Sequence, residues 1–197
     1  MTDTRLLVGG VSELYQRDLD LGRLAVERLQ GESFGPGVLV EELHYGAVAV
    51  AQRLQDLQPQ TLVLVSAVVR HRAPGAVQRQ RVIPAELSPQ TVQAAVGDAV
   101  TGYVHPDLVV EIATAFGVLP PRTITIEVEP ELVGSGEGMT EAATAGLEIA
   151  LDLVRAEIRW APLVGLAQQL DEQVVDIPAA LRAFVDELGL LDHEGRW

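Results

Sequence analysis

Asp18 and Asp20 stand just past an apolar run, Arg5-Leu6-Leu7-Val8, that ends in Gly9-Gly10, at the point where a helical pattern begins. Carboxylates in such a loop can hold a metal ion, and a glycine turn after a strand can cradle a phosphate. Acids in this place can also simply meet the exposed N–H groups of a first helical turn, and for Asp20 that reading is the simplest. A dinucleotide fingerprint needs three glycines, the last inside the first helical turn. Here the loop stretches from Gly10 to Gly22 and carries Glu13, Asp18 and Asp20, whose charge repels phosphate. There is no Walker sequence and no Gly-x-Ser-x-Gly nucleophile elbow.

The other chemistry-bearing residues are the histidines and one arginine cluster. His105, in "VHPDL", reads as the start of a helix, with Pro106 at the turn and Asp107 near the N-terminus. His71 lies between Arg70 and Arg72 in "RHRAPG". Those three side chains can grip the carboxylate or acidic tail of a protein substrate, or form a solvated loop. His44 closes the second strand beside a turn, and His193 lies in the tail.

Alternating strands and helices position these residues. The patterning predicts strands at Arg5–Gly10, Val38–Leu43, Thr61–Val68, Ala76–Arg81 and Thr123–Val128. "TLVLVSAVV" is apolar almost throughout and suits a central strand covered on both faces. "RTITIEVEP" alternates, which places it nearer an edge or half exposed. Helices are expected at Asp18–Gln30, Gly46–Gln55, Pro89–Val100, Asp107–Phe116 and Thr140–Trp160. In the first, Leu21, Leu24, Ala25, Arg28 and Leu29 recur at helical spacing, and Gly31 follows as a stop signal. Thr140 suits the N-cap of the last. The expected fold is a three-layer α/β/α sandwich around a mostly parallel five-stranded sheet over residues 1–162, with residues 163–197 as a helical extension. In that extension "IPAALRAFVDELGLL" is a short amphipathic helix whose apolar face must cover something.

Composition narrows the functions. The chain has 197 residues, 48% hydrophobic and 4% aromatic, so its core is built from aliphatic side chains. Cysteine is absent, which removes disulfides, thiolate catalysis and cysteine metal sites. All 14 basic residues are arginine, and the net charge is −14. That sign opposes binding to nucleic acid or to an anionic membrane. No signal-peptide pattern or membrane-length apolar run is present, so a cytoplasmic protein is expected.

The order of elements resembles the hydrogenase maturation endopeptidases, which trim the C-terminus of the large subunit of nickel–iron hydrogenases after nickel insertion. Their opening strand and Gly-x-Gly-Asn-x-Leu-x-x-Asp-(Asp/Glu)-Gly-x-Gly loop are similar to the segment in which Gly10, Asp18 and Gly22 fall on matching positions. "VLVEELHYGAVAVAQRLQDLQPQTLVLVSAVVRHRAPGAVQR" resembles the second and third strands with their turns. "ATAFGVLPPRTITIEVEPELVGSGEGMTEAATAGLEIALDLV" resembles the closing segment. The similarity is collinear over roughly residues 5–160.

The resemblance implies a site of two acids and one histidine that senses nickel held in the substrate. Asp18 matches the first acid, Ser66 stands at the second, His105 lies three residues from the histidine position, and Glu13 replaces an asparagine. Serine is a poor neutral ligand beside imidazole and carboxylate. The implied metal set is therefore Asp18 and His105, with Ser66, His71 and His44 facing the substrate. Converging at the carboxyl ends of parallel strands, these residues can form a ligand crevice. Two functions stay open under the resemblance. One is an endopeptidase of altered chemistry, in which water polarised by substrate nickel attacks the amide. The other is a non-catalytic binder of a hydrogenase large subunit or related assembly factor. A small-molecule-binding or nucleotide-binding α/β domain is the alternative outside it.

Overall fold

In the computed structural model the described residues are 4–84, 87–99 and 104–172, with side chains described through residue 161 except at 89, 98 and 99. The chain divides into two compact units, residues 1–155 and 156–197. The amphipathic segment around Pro178 and His193 lies outside the described residues.

Five strands form one sheet: β1 (Leu6–Gly10), β2 (Val38–Glu42), β3 (Thr61–Ala67), β4 (Val77–Val82) and β5 (Arg122–Val128). Their order is β2-β1-β3-β5-β4. The first four in that order pair parallel, and β4 closes the edge antiparallel to β5. Helices α1 (Leu21–Gln30), α2 (Ala47–Leu57), α3 (Pro89–Ala99), α4 (Pro106–Ala115) and α5 (Glu141–Glu172) complete the order of elements. No helix among the described residues is long and apolar enough to cross a membrane.

Strand β3 is buried at every position, as its unbroken apolar run requires. Leu62 and Leu64 point to the face covered by α2 and α4, where Leu7, Val50, Leu54, Val109 and Ile112 join them in one cluster. The opposite face receives α1 and the first half of α5. Gly10 and Gly22 make the first contact possible. A Cβ on Gly10 would overlap the Gly22 carbonyl, and one on Gly22 would overlap the backbone of Val11 and Val65. These glycines let a helix approach a strand closely, which is the service a phosphate loop would otherwise ask of them. The buried stripe of α1 is Leu21, Gly22, Ala25, Val26 and Leu29. Arg28 faces outward instead and meets Glu148 at 3.1 Å.

Strand β5 corrects the expectation drawn from its alternation. It is internal and buried throughout, because β4 pairs beyond it. Its polar residues Thr123, Thr125 and Glu127 share the face of Leu62, Leu64 and Ser66, the register partner of Glu127 being Ser66. The alternating strand at the edge is β4, "VQRQRV". To reach it from β3 the chain must cross the carboxyl end of β5. Arg70, His71 and Arg72 sit in that crossing.

Candidate functional site

The carboxyl ends of β1, β3 and β5 carry the residues singled out by type and spacing. After β1 the chain enters a loop and a 3₁₀ turn, Arg17–Asp20, before α1. Two non-glycine residues of this loop adopt left-handed backbone, Tyr15 with φ 59° and Arg17 with φ 50°. Such residues are held only where the surroundings over-determine them. Backbone bonds to Gly136 hold Tyr15 and Arg17, and Asp18 ties the turn that follows to the same loop. The Asp18 side chain is fully buried. Its Oδ2 accepts hydrogen bonds from the amides of Glu131 and Leu132, each at 2.9 Å, and from the Thr140 hydroxyl at 2.9 Å. Its Oδ1 accepts from the Thr140 amide at 2.7 Å. The Thr140 hydroxyl in turn accepts from the Ala143 amide at 3.2 Å, which makes Thr140 the N-cap of α5, as its type predicts. Backbone bonds between Tyr15, Arg17 and Gly136 continue the seam.

Asp20 does not cap α1 with its side chain. It forms an ion pair with Arg23 at 2.6 Å, and the Ser12 hydroxyl accepts from the Arg23 amide at 2.6 Å.

His105 stands on the other side of a small cavity at the ends of β1 and β3. The cavity has a volume of about 110 Å³; Glu13, Leu19, Val68 and His105 contribute to its wall. His105 is the N-cap of α4, and its Nδ1 accepts from the Asp107 amide at 3.3 Å. The same nitrogen lies 3.5 Å from the Asp107 carboxylate.

The implied pairing of Asp18 with His105 as a metal set is not made by this geometry. The 3₁₀ turn points Asp18 inward, to four hydrogen-bond donors, and brings its neighbour Leu19 to the cavity wall. A ligating carboxylate must aim a lone pair at the ion, whereas both oxygens of Asp18 are turned to donors on residues 131, 132 and 140, three on Oδ2 and one on Oδ1, and Asp18 does not line the cavity. Among the described residues, no group of three metal-ligating side chains comes together. Asp18 and His105 therefore do not fit a resident metal.

Ser66 is buried on β3 and does not line the cavity, and its hydroxyl has no hydrogen-bond partner among the described residues. His44 lies at the end of β2, with Nδ1 3.1 Å from a Glu42 carboxylate oxygen and its ring edge-on to Tyr45. His71 is exposed in left-handed backbone, φ 61°, and its amide donates to Glu129. Neither histidine lines the cavity.

Arg70 and Arg72 are engaged within the fold rather than offered to an acidic tail. Arg70 Nη2 meets Asp107 and Glu127, each at 2.7 Å, and Arg72 meets Glu127 at 2.7 Å and Glu129 at 3.3 Å. The hydrogen bonds that Arg70 donates to Glu127 and then to Asp107 raise its pKa. Burial pushes the Asp107 carboxyl up, but the hydrogen bond and charge of Arg70, with His105 adding to them, hold it below the usual range. Burial likewise opposes ionisation of Glu129. The amides of Arg70, Arg72 and His71 and the Arg72 side chain outweigh it and keep that carboxyl low.

Comparison with known proteins gives the fold a precedent. No family model matches the sequence, and no curated protein matches it. Solved structures do. An endopeptidase from Escherichia coli superposes with a TM-score of 0.58 at 25% identity, over 79% of this chain and 92% of that one. The hydrogenase maturating endopeptidase HybD from E. coli gives 0.57 at 22%, with the same coverage. The hydrogenase 2 maturation peptidase from Thaumarchaeota archaeon SCGC_AB-539-E09 gives 0.53 at 21%, over 76% and 95%. The fold is that of the hydrogenase maturation endopeptidases. The resemblance read from the sequence thus holds for the architecture. Leu19, Glu127 and Glu129 are site residues that sequence reasoning missed. Glu127 carried a signal: an acid inside a strand that turns out to be internal must find cations.

Proposed function

We propose that this protein is a docking factor of hydrogenase maturation, which engages the carboxyl-terminal segment of a nickel–iron hydrogenase large subunit and does not cleave it. The observation that carries this reading is the fate of Asp18. Its carboxylate anchors two loops through four hydrogen bonds, and Leu19 presents an apolar side chain to the cavity. The loops it pins display Leu14, Tyr15, Leu132 and Val133 to solvent, Tyr15 at 68% exposure. Aromatic and aliphatic side chains held on a rigid loop are the usual anchors of a protein interface. Nickel enters this picture as part of the partner, and the working compartment is the cytoplasm. Ser12, Glu13 and His105 are the polar residues that line the cavity.

The test is incubation of the purified protein with a nickel-loaded precursor large subunit. Size-exclusion chromatography reads capture, and intact-mass spectrometry reads the C-terminus of the large subunit. The expected result is a complex with the precursor uncut. Trimming of the precursor would replace this reading with the altered endopeptidase. Absence of both capture and trimming would remove the hydrogenase partner altogether.

A further inference from the structure

A second cavity, of about 420 Å³, opens on the far side of the α4 N-terminus, between that helix and the β4–β5 edge of the sheet. Its size falls in the range of about 300–1,000 Å³ typical of ligand sites. One wall is aliphatic, formed by Val82, Ile83 and Val110, with Ile83 59% exposed. The rim carries three carboxylates, Asp107, Glu111 and Glu127, and one guanidinium, Arg70. Arg70 is shared between Asp107 and Glu127, while Glu111 has no ion-pair partner among the described residues. The cavity therefore combines an apolar wall with an excess of negative charge.

We infer that this cavity receives a basic side chain, arginine or lysine, from a polypeptide partner. Such a side chain lays an aliphatic stem along apolar surface and keeps its charged head among carboxylates. A small divalent cation would leave the aliphatic wall unused. An acidic or neutral side chain would find no counter-charge, since Arg70 is already doubly paired. Guanidinium suits the rim best, because its planar fork can bridge Glu111 and Asp107 as Arg70 bridges Asp107 and Glu127. The α4 N-terminus lies between this cavity and the one at His105, with His105 and Pro106 on one side and Asp107 on the other. An extended segment crossing that helix end would fill both. The identity of the partner rests on the proposed function, whereas the chemistry of the pocket does not.

The experiment titrates Nα-acetyl-arginine methylamide into the full chain at low salt, followed by amide chemical shifts. The citrulline analogue, equal in shape and uncharged, serves as control. The expected result is saturable shifts at Val82, Ile83, Val110 and Thr125 with the arginine probe only. Glu111→Gln, which breaks no ion pair among the described residues, is expected to weaken the probe three- to tenfold while leaving the rest of the spectrum in place. Equal shifts with citrulline, no saturable shifts, or an affinity unchanged by Glu111→Gln would overturn the proposal. Because the probe is a free amino-acid derivative, this result stands apart from capture of the large subunit. Binding of arginine without capture would keep the pocket and remove the partner, and the converse would keep the partner and remove the pocket.

Discussion

Two sets of buried carboxylates hold the carboxyl end of this sheet, and they are held in different ways. Asp18 is surrounded by dipoles: three amides and one hydroxyl, at 2.7–2.9 Å. Glu127 is surrounded by cations, the guanidiniums of Arg70 and Arg72, while Glu129 stands between the two kinds, bonded to the amides of Arg70 and His71 and to the Arg72 guanidinium. A carboxylate bonded to backbone amides fixes the course of the chain, because its donors cannot turn away. A carboxylate bonded to long side chains fixes charge, and its partners can change rotamer or exchange for another ion. The first arrangement builds a rigid platform. The second keeps ionic surface adjustable beside the β4 edge.

The largest expected effect lies on the platform. Asp18→Ala takes the shared acceptor away from the part-buried amides of Glu131, Leu132 and Thr140 and uncouples the N-cap of α5. The cost should be about 3–5 kcal/mol, the scale of a buried charged hydrogen-bond network that loses its centre. Urea unfolding gives the total, and hydrogen exchange at residues 131, 132 and 140 gives the location. A loss under about 1 kcal/mol, the worth of one ordinary hydrogen bond, would mean that the two loops do not depend on Asp18 and would erase the contrast.

How much of this was legible follows from the range of each interaction. Strands β1 and β3, the glycines at 10 and 22 and the Thr140 cap were readable, because apolar runs, close approach and capping are local demands on residue type. The partner of Asp18 was not, since Thr140 lies 122 residues away and a buried aspartate looks like a ligating one in sequence. The inward turn of Asp18 and the outward turn of Leu19 depend on one 3₁₀ turn, which a helical pattern from residue 18 to 30 absorbs without trace. The position of β5 was misread for a related reason. Alternation signals a solvated face only when no neighbour brings counter-charge, and Arg70 and Arg72 arrive from a loop more than 50 residues earlier.

The second effect lies at Glu129, which takes both amides and a guanidinium, and it has a pH signature. The Glu129 carboxyl sits below its ordinary 4.5 in the fold. A lowered carboxyl stabilises the fold fully above its unfolded value and ceases to do so as pH falls through the folded one. Stability should therefore decline on acidification from about pH 5 downward, by an amount that includes Glu129. Glu129→Gln should cost about 1–3 kcal/mol at pH 7, the range for hydrogen bonds to a charged group, and should make the acid slope shallower. Urea midpoints at pH 7 and pH 3.5 test this. A parallel loss at both pH values would assign the residue a steric role instead of a charged one.

The smallest effect sharpens the comparison most. The ion pair between Arg70 and Asp107 is part exposed, at 35% and 50% of the two side chains. Exposed pairs contribute up to about 1 kcal/mol and are screened by salt. Asp107→Asn should therefore cost less than that at low salt and nothing measurable at 1 M NaCl. Asp18→Ala removes a carboxylate that is itself fully buried and bonded to dipoles, and should cost the same at both. If adjustable charge is the purpose of the cationic set, the two variants must separate along the salt axis even though both lose one carboxylate from the same end of the sheet. If they do not separate, the Arg70 network is as fixed as the Asp18 platform, and the cavity beside it cannot exchange its own guanidinium contacts for those of an incoming side chain.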